Sequence, residues 1–184
     1  SFAGIIALVV VAFFYLRYRK EAADKEKAYK DSVANISSME KFRIDVEPIL
    51  KAESKSDYYL IVADVDKFKV INTLYGYEKG DKVIAFLAKM FQAELSEGDF
   101  VTRSNADNFV IMKRAKSQQE VADYLRKVFA NVNNTIAQNH YNYRMMIKAG
   151  IYPIEDTDNN ISSIISFSYF FNINIYSIYR ALLT

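Results

Sequence analysis

The sequence contains no cysteine and only one histidine, which excludes several kinds of functional site. Without cysteine there is no disulfide framework, no thiolate metal site and no cysteine nucleophile. The single histidine, His140, argues against a zinc enzyme or a serine–histidine triad. Five glycines and two prolines among 184 residues exclude collagen-like and low-complexity chains. Because 51% of the residues are hydrophobic and 25% are charged, the chain can form one globular domain with a packed core.

The net charge of +2 gives no electrostatic reason to expect nucleic acid as a partner. The basic excess lies in residues 17–30, directly after an uncharged apolar run, Phe2–Leu16. This order of apolar and basic residues disfavours a signal peptide, and the lack of a polar face disfavours a core helix. Fifteen helical residues rise only about 22 Å, less than a bilayer core. We therefore expect residues 1–16 to be a transmembrane helix that is truncated at its N-terminus.

Three further segments follow this run. Residues 17–34 are rich in Lys, Glu, Asp and Ala, which predicts a solvated connector helix. Residues 35–165 are expected to form the soluble domain. Residues 166–184 have no clear periodicity and stay unassigned, as a truncated or frame-shifted tail, with a second membrane helix as the less favoured alternative.

Within the soluble domain, helical and strand patterns alternate, which predicts an α/β or α+β fold with a central sheet covered by helices. Apolar spacing predicts helices over Ser38–Leu50, Lys67–Tyr75, Asp81–Leu95 and Ser117–Ala137. The predicted strands are Asp57–Asp64, Phe100–Arg103, Phe109–Lys113 and Tyr143–Tyr152. The second and third strands are close enough to form a hairpin, and Asp81 is expected to be the N-cap of its helix.

A dense motif lies where the first strand ends and the next helix begins. Asp64-Val65-Asp66-Lys67-Phe68-Lys69 is followed by Asn72 and then by Gly76-Tyr77-Glu78-Lys79-Gly80-Asp81. This stretch resembles the GGDEF family, the diguanylate cyclase domains, whose pattern is D-x-D-x-F-K-x-x-N and then G-H-x-x-G-D. The likeness extends from Asp31 to about Ile165, and Arg103–Phe109 occupies the place of the family's R-x-G-G-D-E-F hairpin.

The resemblance implies a nucleotidyl-cyclase-like fold with a central mixed sheet. In the family each domain holds one GTP, and two domains face each other to make cyclic di-GMP with two Mg²⁺ ions. It therefore implies GTP and Mg²⁺ as ligands, a homodimer, and an EAL-type phosphodiesterase domain or protein as a partner. Together with the apolar N-terminus, it implies a bacterial inner membrane protein whose soluble domain faces the cytoplasm.

The resemblance also assigns roles to individual residues. Asp64 would bind the metal through its carboxylate and Val65 through its backbone carbonyl. The backbone at Phe68 and Lys69 would approach the phosphates at a helix N-terminus. By the same resemblance, the two residues that hydrogen-bond the guanine edge would be Asn72 and Asp81.

The hairpin departs from the family pattern. Asn105 and Ala106 replace the two glycines, and both add a Cβ where the backbone should approach phosphate. Asp107 keeps the third motif position, as a catalytic carboxylate of a degenerate site, but Asn108 replaces the metal-binding Glu. A neutral amide offers no charge, so Mg²⁺ affinity should fall.

The family's product-inhibition motif, R-x-x-D, is also incomplete. Asp99 is present, but Ser96 stands in the place of the arginine, so bidentate guanidinium recognition is lost. We therefore expect a membrane-anchored, degenerate GGDEF domain without catalytic activity, which acts as a GTP-binding or dimerising regulatory module. Two alternatives stay open, namely an active diguanylate cyclase that relies on Asp64 and Asp107, and a structural relay that binds no nucleotide.

Overall fold

The computed structural model describes residues 2–52, 55, 57–138 and 145–170, which contain six helices and four strands. In chain order these are α1 (Phe2–Ala28), α2 (Met39–Leu50), β1 (Tyr58–Val65), α3 (Phe68–Tyr75), α4 (Tyr77–Ala93), β2 (Phe100–Asn105), β3 (Asn108–Arg114), α5 (Gln118–Gln138), β4 (Ile147–Pro153) and α6 (Ile161–Phe170). The rest of the predicted C-terminal tail, 171–184, lies outside the described residues.

The four described strands form one antiparallel sheet with the order β2-β3-β1-β4. All three neighbouring pairs are antiparallel, so the expectation of a mixed sheet is wrong for this part of the chain. The physical reason is the position of the hairpin. Helices α3 and α4 return the chain so that β2 runs in the same direction as β1, but the tight turn then inserts β3 between them.

Helices cover the sheet on both faces, and successive residues of β1 point to opposite faces. Ile61 and Ala63 belong to a core that α4 and α5 cover with Leu87, Phe91 and Leu125. The opposite face forms a second core under α2 and α6. Its buried members include Leu60 and Val62 from β1, Val110 and Met112 from β3, Phe42 and Val46 from α2, and Ile164 from α6. This double burial explains why β1 reads as a continuous apolar run.

Most predicted elements lie within a few residues of their expected bounds, but the start of α4 differs. This helix begins at Tyr77 and its N-cap is Gly76, which has a φ of +81°. Asp81 therefore lies inside the helix, and its prediction as the N-cap is wrong. The backbone conformation of Gly76 ends α3 and begins α4, so this single residue is the whole connection between the two helices.

Among the side chains of α1 that the structure describes, none belongs to either core, and apolar ones such as Phe2, Leu8 and Leu16 are exposed. Among the described residues, no helix combines the length and the apolarity that a membrane crossing requires. The transmembrane helix predicted over residues 1–16 is thus not found in this part of the chain. The apolar stretch of the helix ends at Arg17, where the charged half begins. This apolar stretch is only about 22 Å long, whereas the bilayer core is ~30 Å thick.

Candidate functional site

Two carboxylates meet at the end of the central strand. Asp64 is the penultimate residue of β1, and Asp107 lies in the turn between β2 and β3. Their side chains share a hydrogen bond. Burial, and then this hydrogen bond and the charge of Asp107, raise the pKa of Asp64 to about 6. Below about pH 6 the two carboxyl groups therefore share a proton, which a bound cation would replace.

A row of polar side chains crosses the sheet at the level of Asp64. The residue opposite Asp64 on β3 is Asn108, and the one opposite it on β4 is Lys148. Directly opposed residues in antiparallel strands project from the same face, so the three side chains are neighbours. The amine of Lys148 is 2.6 Å from Oδ1 of Asp66, two residues beyond Asp64. The resulting cluster contains three carboxylates and one ammonium group.

The hairpin that carries Asp107 is held by its own side chains. Ala106 has a φ of +35°, a conformation that a glycine adopts without strain. The guanidinium of Arg103 donates a hydrogen bond to the Ala106 carbonyl, at 2.9 Å. Across the same turn, Asn108 Nδ2 donates to Asn105 Oδ1, at 3.1 Å. Two of the three substituted motif residues, Asn105 and Asn108, are therefore joined by a hydrogen bond of their own.

Arg103 also connects the hairpin to the segment that follows α1. Its Nη2 lies 3.0 Å from Oδ2 of Asp31. The other carboxylate oxygen of Asp31 accepts hydrogen bonds from the N–H groups of Val33 and Ala34. Burial opposes ionisation, but the bonds from Ala34 and Arg103 outweigh it and hold the pKa of Asp31 below its usual value. A single arginine thus links the loop before α2 to the carbonyl of Ala106.

A second polar site lies between α3 and α4. The Oδ1 atom of Asn72 is buried and has no hydrogen-bond partner in the described structure. A Cβ placed on Gly80 would lie 1.8 Å from this atom and 3.2 Å from the ring of Phe68. Gly80 therefore leaves the space that the Asn72 amide fills. Asp81, the next residue, is exposed beside it.

The N-terminus of α3 follows the carboxylate cluster directly. Lys67 is its N-cap and has a φ of +59°, while Phe68 is buried and Lys69 is exposed. The side chain of Lys67 makes no capping hydrogen bond to the helix. The first backbone N–H groups of α3 are thus available to an external acceptor, next to Asp66.

The residues expected to bind Mg²⁺ form an incomplete ligand set. In the described parts of the chain there is no group of three or more His, Cys, Asp or Glu side chains that could hold a metal ion. Asp64 and Asp107 are brought together, and Asn108 lies beside them with an amide in place of a carboxylate. Oxygen donors of this kind suit a hard cation, but their charge is low for tight binding.

Asp99, predicted from the product-inhibition motif, is buried in an internal network. Its side chain is 1% exposed and lies 2.8 Å from the amine of Lys113, which in turn lies over the ring of Tyr124. It also accepts hydrogen bonds from the backbone N–H groups of Ser96 and Arg114, at 2.9 and 2.8 Å. These contacts leave Asp99 no open side for a ligand. The position of Asp99 in the product-inhibition motif does not indicate this burial.

Comparison with known proteins identifies the family. A family model described as "Diguanylate cyclase, GGDEF domain" matches residues 28–168, which is most of the chain. The chain belongs to the GGDEF domain family. The matched range contains both the carboxylate cluster and the site at Asn72.

Several diguanylate cyclases have sequences similar to this GGDEF domain. A diguanylate cyclase of Vibrio cholerae is 33% identical over 107 residues, which are 56% of this chain and 32% of that protein. Diguanylate cyclase DgcM of Escherichia coli is 32% identical over 96 residues, or 51% of this chain and 23% of that protein. The chain therefore spans a third or less of the length of these curated relatives.

Solved structures share the fold. The coiled coil and GGDEF domain of DgcB from Caulobacter crescentus, in complex with c-di-GMP, has a TM-score of 0.73 at 20% identity, covering 92% of this chain and 91% of that chain. Vibrio cholerae LapD S helix-GGDEF-EAL, bound to c-di-GMP, has a TM-score of 0.64 at 14% identity, covering 85% and 36%. This GGDEF domain is therefore a diguanylate cyclase-family domain of c-di-GMP signalling.

Sequence reasoning missed two charged residues of this region. Lys148 lies within the predicted strand Tyr143–Tyr152, and a lysine within an apolar strand indicates a sheet edge or a site. Arg103 was matched to the motif without a partner, and its bond to Asp31 spans 72 positions in the sequence. The roles predicted for Asp64, Val65, Phe68, Lys69, Asn72, Asp81, Asp107 and Asn108 stay predictions.

Proposed function

We propose that this GGDEF domain binds GTP as a regulatory module of c-di-GMP signalling and does not convert it to product. The observation that carries the proposal is the unpaired Oδ1 of Asn72, buried between α3 and α4. A buried acceptor without a partner destabilises the folded protein by about 1–3 kcal/mol. A ligand that donates a hydrogen bond to this atom would recover that free energy.

The acceptors of this site favour guanine over adenine. The Watson–Crick edge of guanine presents two neighbouring N–H donors, whereas adenine presents a donor beside an acceptor. The Asn72 carbonyl and the Asp81 carboxylate are both acceptors, and a carboxylate cannot donate when it is ionised. Phe68, whose ring is next to Gly80, adds an apolar wall. These groups are therefore complementary to guanine, the base that the family resemblance also implies.

The carboxylate cluster supports weak metal binding and poor catalysis. Asp64 and Asp107 are the carboxylates that would hold Mg²⁺, and Asn108 would contribute only an amide oxygen. Bound Mg²⁺ would neutralise phosphate charge. In this chain Asn108 bonds to Asn105, and Ala106 brings a Cβ to the surface that should approach phosphate. We therefore propose that bound nucleotide stays intact.

Partner proteins are proposed from the relatives. The family's chemistry joins two GTP molecules held by facing domains, so a second GGDEF domain is the first proposed partner. An EAL domain is the second, because LapD, which shares the fold, is described as S helix-GGDEF-EAL. In both cases the domain would act through the presence or absence of nucleotide.

Calorimetry on the whole chain tests the proposal. GTP and ATP are titrated with Mg²⁺ and with EDTA, and the same samples are then analysed for c-di-GMP by chromatography. We expect GTP to bind more tightly than ATP, without product, and Asn72→Ala to remove the preference. Absence of any GTP binding would leave the structural relay, while product formation by the natural sequence would establish an active cyclase instead.

A further inference from the structure

Lys148 lies beside the carboxylate cluster and close to the N-terminus of α3. It lies opposite Asp64 in the pairing of β1 with β4, and its amine is 2.6 Å from Oδ1 of Asp66. Asp66 immediately precedes Lys67, the N-cap of α3. The ammonium group is therefore held close to a helix N-terminus whose N-cap residue makes no side-chain capping hydrogen bond.

The ammonium group of Lys148 is also open to a ligand. The Lys148 side chain is 48% exposed, whereas the Asp66 side chain that anchors it is 15% exposed. An ammonium group has three N–H donors, and the bond to Asp66 uses one of them. The backbone of Asp66 is itself fixed, because its N–H donates to the Met146 carbonyl at 2.8 Å. Asp66 thus holds the accessible ammonium group of Lys148 in position.

The charge balance of the cluster requires such a cation. Asp64, Asp66 and Asp107 are close together, and an anionic polyphosphate that approaches them is repelled unless positive charge lies between. With Asn108 in place of a carboxylate, the metal that would supply this charge is weakly held. Lys148 supplies part of it permanently, since its amine interacts with both Asp66 and Asp64.

We propose that Lys148 binds the polyphosphate of the nucleotide and reduces its dependence on a divalent cation. The proposal rests on the proposed function, because it assumes that a guanine nucleotide occupies the site at Asn72. It assigns the base to Asn72 and Asp81, and the phosphates to Lys148 and the N-terminus of α3. Lys148 is thus a binding residue that determines how much the triphosphate adds to the affinity of the nucleoside.

The test compares GTP with guanosine, which lacks phosphate, in calorimetric titrations of the natural chain and of Lys148→Ala. We expect Lys148→Ala to lower GTP affinity about tenfold in EDTA, as expected for the loss of a charged hydrogen bond. Guanosine affinity should stay within about twofold. Lys148→Arg should retain most of the GTP affinity, because a guanidinium group also binds phosphate.

Asp66→Asn is the control for the ion pair. It removes the anchor but keeps the cation, so GTP affinity should be maintained or increase. A parallel loss of GTP and guanosine affinity in Lys148→Ala, or no loss of either, would overturn the role of Lys148 while the proposed function stands. If the natural chain binds neither GTP nor guanosine, the proposed function and this inference are both wrong.

Discussion

The side-chain amide of Asn108 donates a hydrogen bond to Oδ1 of Asn105 across the turn of the hairpin, at 3.1 Å. Both residues stand where the GGDEF pattern has other types, a glycine at the first position and a glutamate at the second. The bond gives the turn a stabilising contact in place of a metal ligand. The two substitutions therefore remove a negative charge from the motif and add a hydrogen bond within the turn.

Restoring the carboxylate should restore metal affinity. Asn108→Glu adds a further carboxylate to the cluster, beside Asp64 and Asp107. We expect Mn²⁺ affinity to increase at least tenfold, as measured by electron paramagnetic resonance of free Mn²⁺. Asn108→Gln is the matched neutral control. Equal Mn²⁺ affinities of the two variants would show that this position does not face the metal.

The same substitution tests the decay of a catalytic site. Combined with Asn105→Gly and Ala106→Gly, which return the turn to its most permissive residues, Asn108→Glu should yield measurable c-di-GMP from GTP. The natural chain should yield none under the same conditions. If the triple variant binds GTP and Mn²⁺ but makes no product, the hairpin is not what limits catalysis.

Gly80 should be intolerant of any side chain. A Cβ at this position would lie 1.8 Å from Oδ1 of Asn72, so Gly80→Ala should destabilise the domain by about 1–3 kcal/mol in urea denaturation. Asn72→Ala in the same chain removes the clash. The double variant should recover stability but, like Asn72→Ala alone, should not prefer GTP over ATP. An unchanged stability of Gly80→Ala alone would contradict the close approach.

Asp64 should make the metal-free domain less stable as the pH rises. Its pKa is raised to about 6 in the folded state, mainly by burial and then by Asp107, whereas an unfolded aspartate titrates near ~3.9. The folded state therefore holds the proton more tightly. Its stabilising contribution is fully present below about pH 4 and is lost as the pH rises through 6.

Thermal unfolding in EDTA between pH 4 and 7 measures this effect. Asp64→Asn should flatten the dependence over that range, because an amide does not titrate. Metal binding should strengthen over the same interval, since the cation displaces the shared proton. A pH profile identical in the natural chain and in Asp64→Asn would show that another group controls it.

Breaking the buried ion pair of Lys113 and Asp99 on one side should destabilise the domain strongly. Their side chains are 9% and 1% exposed, so Lys113→Met leaves a buried carboxylate without its cation and should cost about 3 kcal/mol in urea denaturation. Arg114→Met breaks the neighbouring pair with Asp57, whose side chains are more than half exposed. That matched control should cost less than about 1 kcal/mol.

The hairpin, the strands and the family motif were determined by the sequence itself. The apolar run of β1, the short polar segment 104–108 between two strand-like runs and the helical spacing of α5 are local patterns, and each of these elements formed close to its predicted bounds. There are two exceptions. Helix α6 overlaps the segment without clear periodicity and was not predicted, and the start of α4 was missed because Gly76 separates two helices in one residue. A positive φ at a glycine leaves no periodic trace in the sequence.

Which residues meet was decided only by the tertiary structure. Insertion of β3 between β1 and β2 places Asn108 opposite Asp64, and the pairing with β4 places Lys148 on the other side. Likewise, the packing of α3 on α4 brings Asn72 against Gly80 and leaves its oxygen unpaired. Strand register and helix packing depend on contacts between distant segments, so a local pattern supplies the functional groups but not their neighbours.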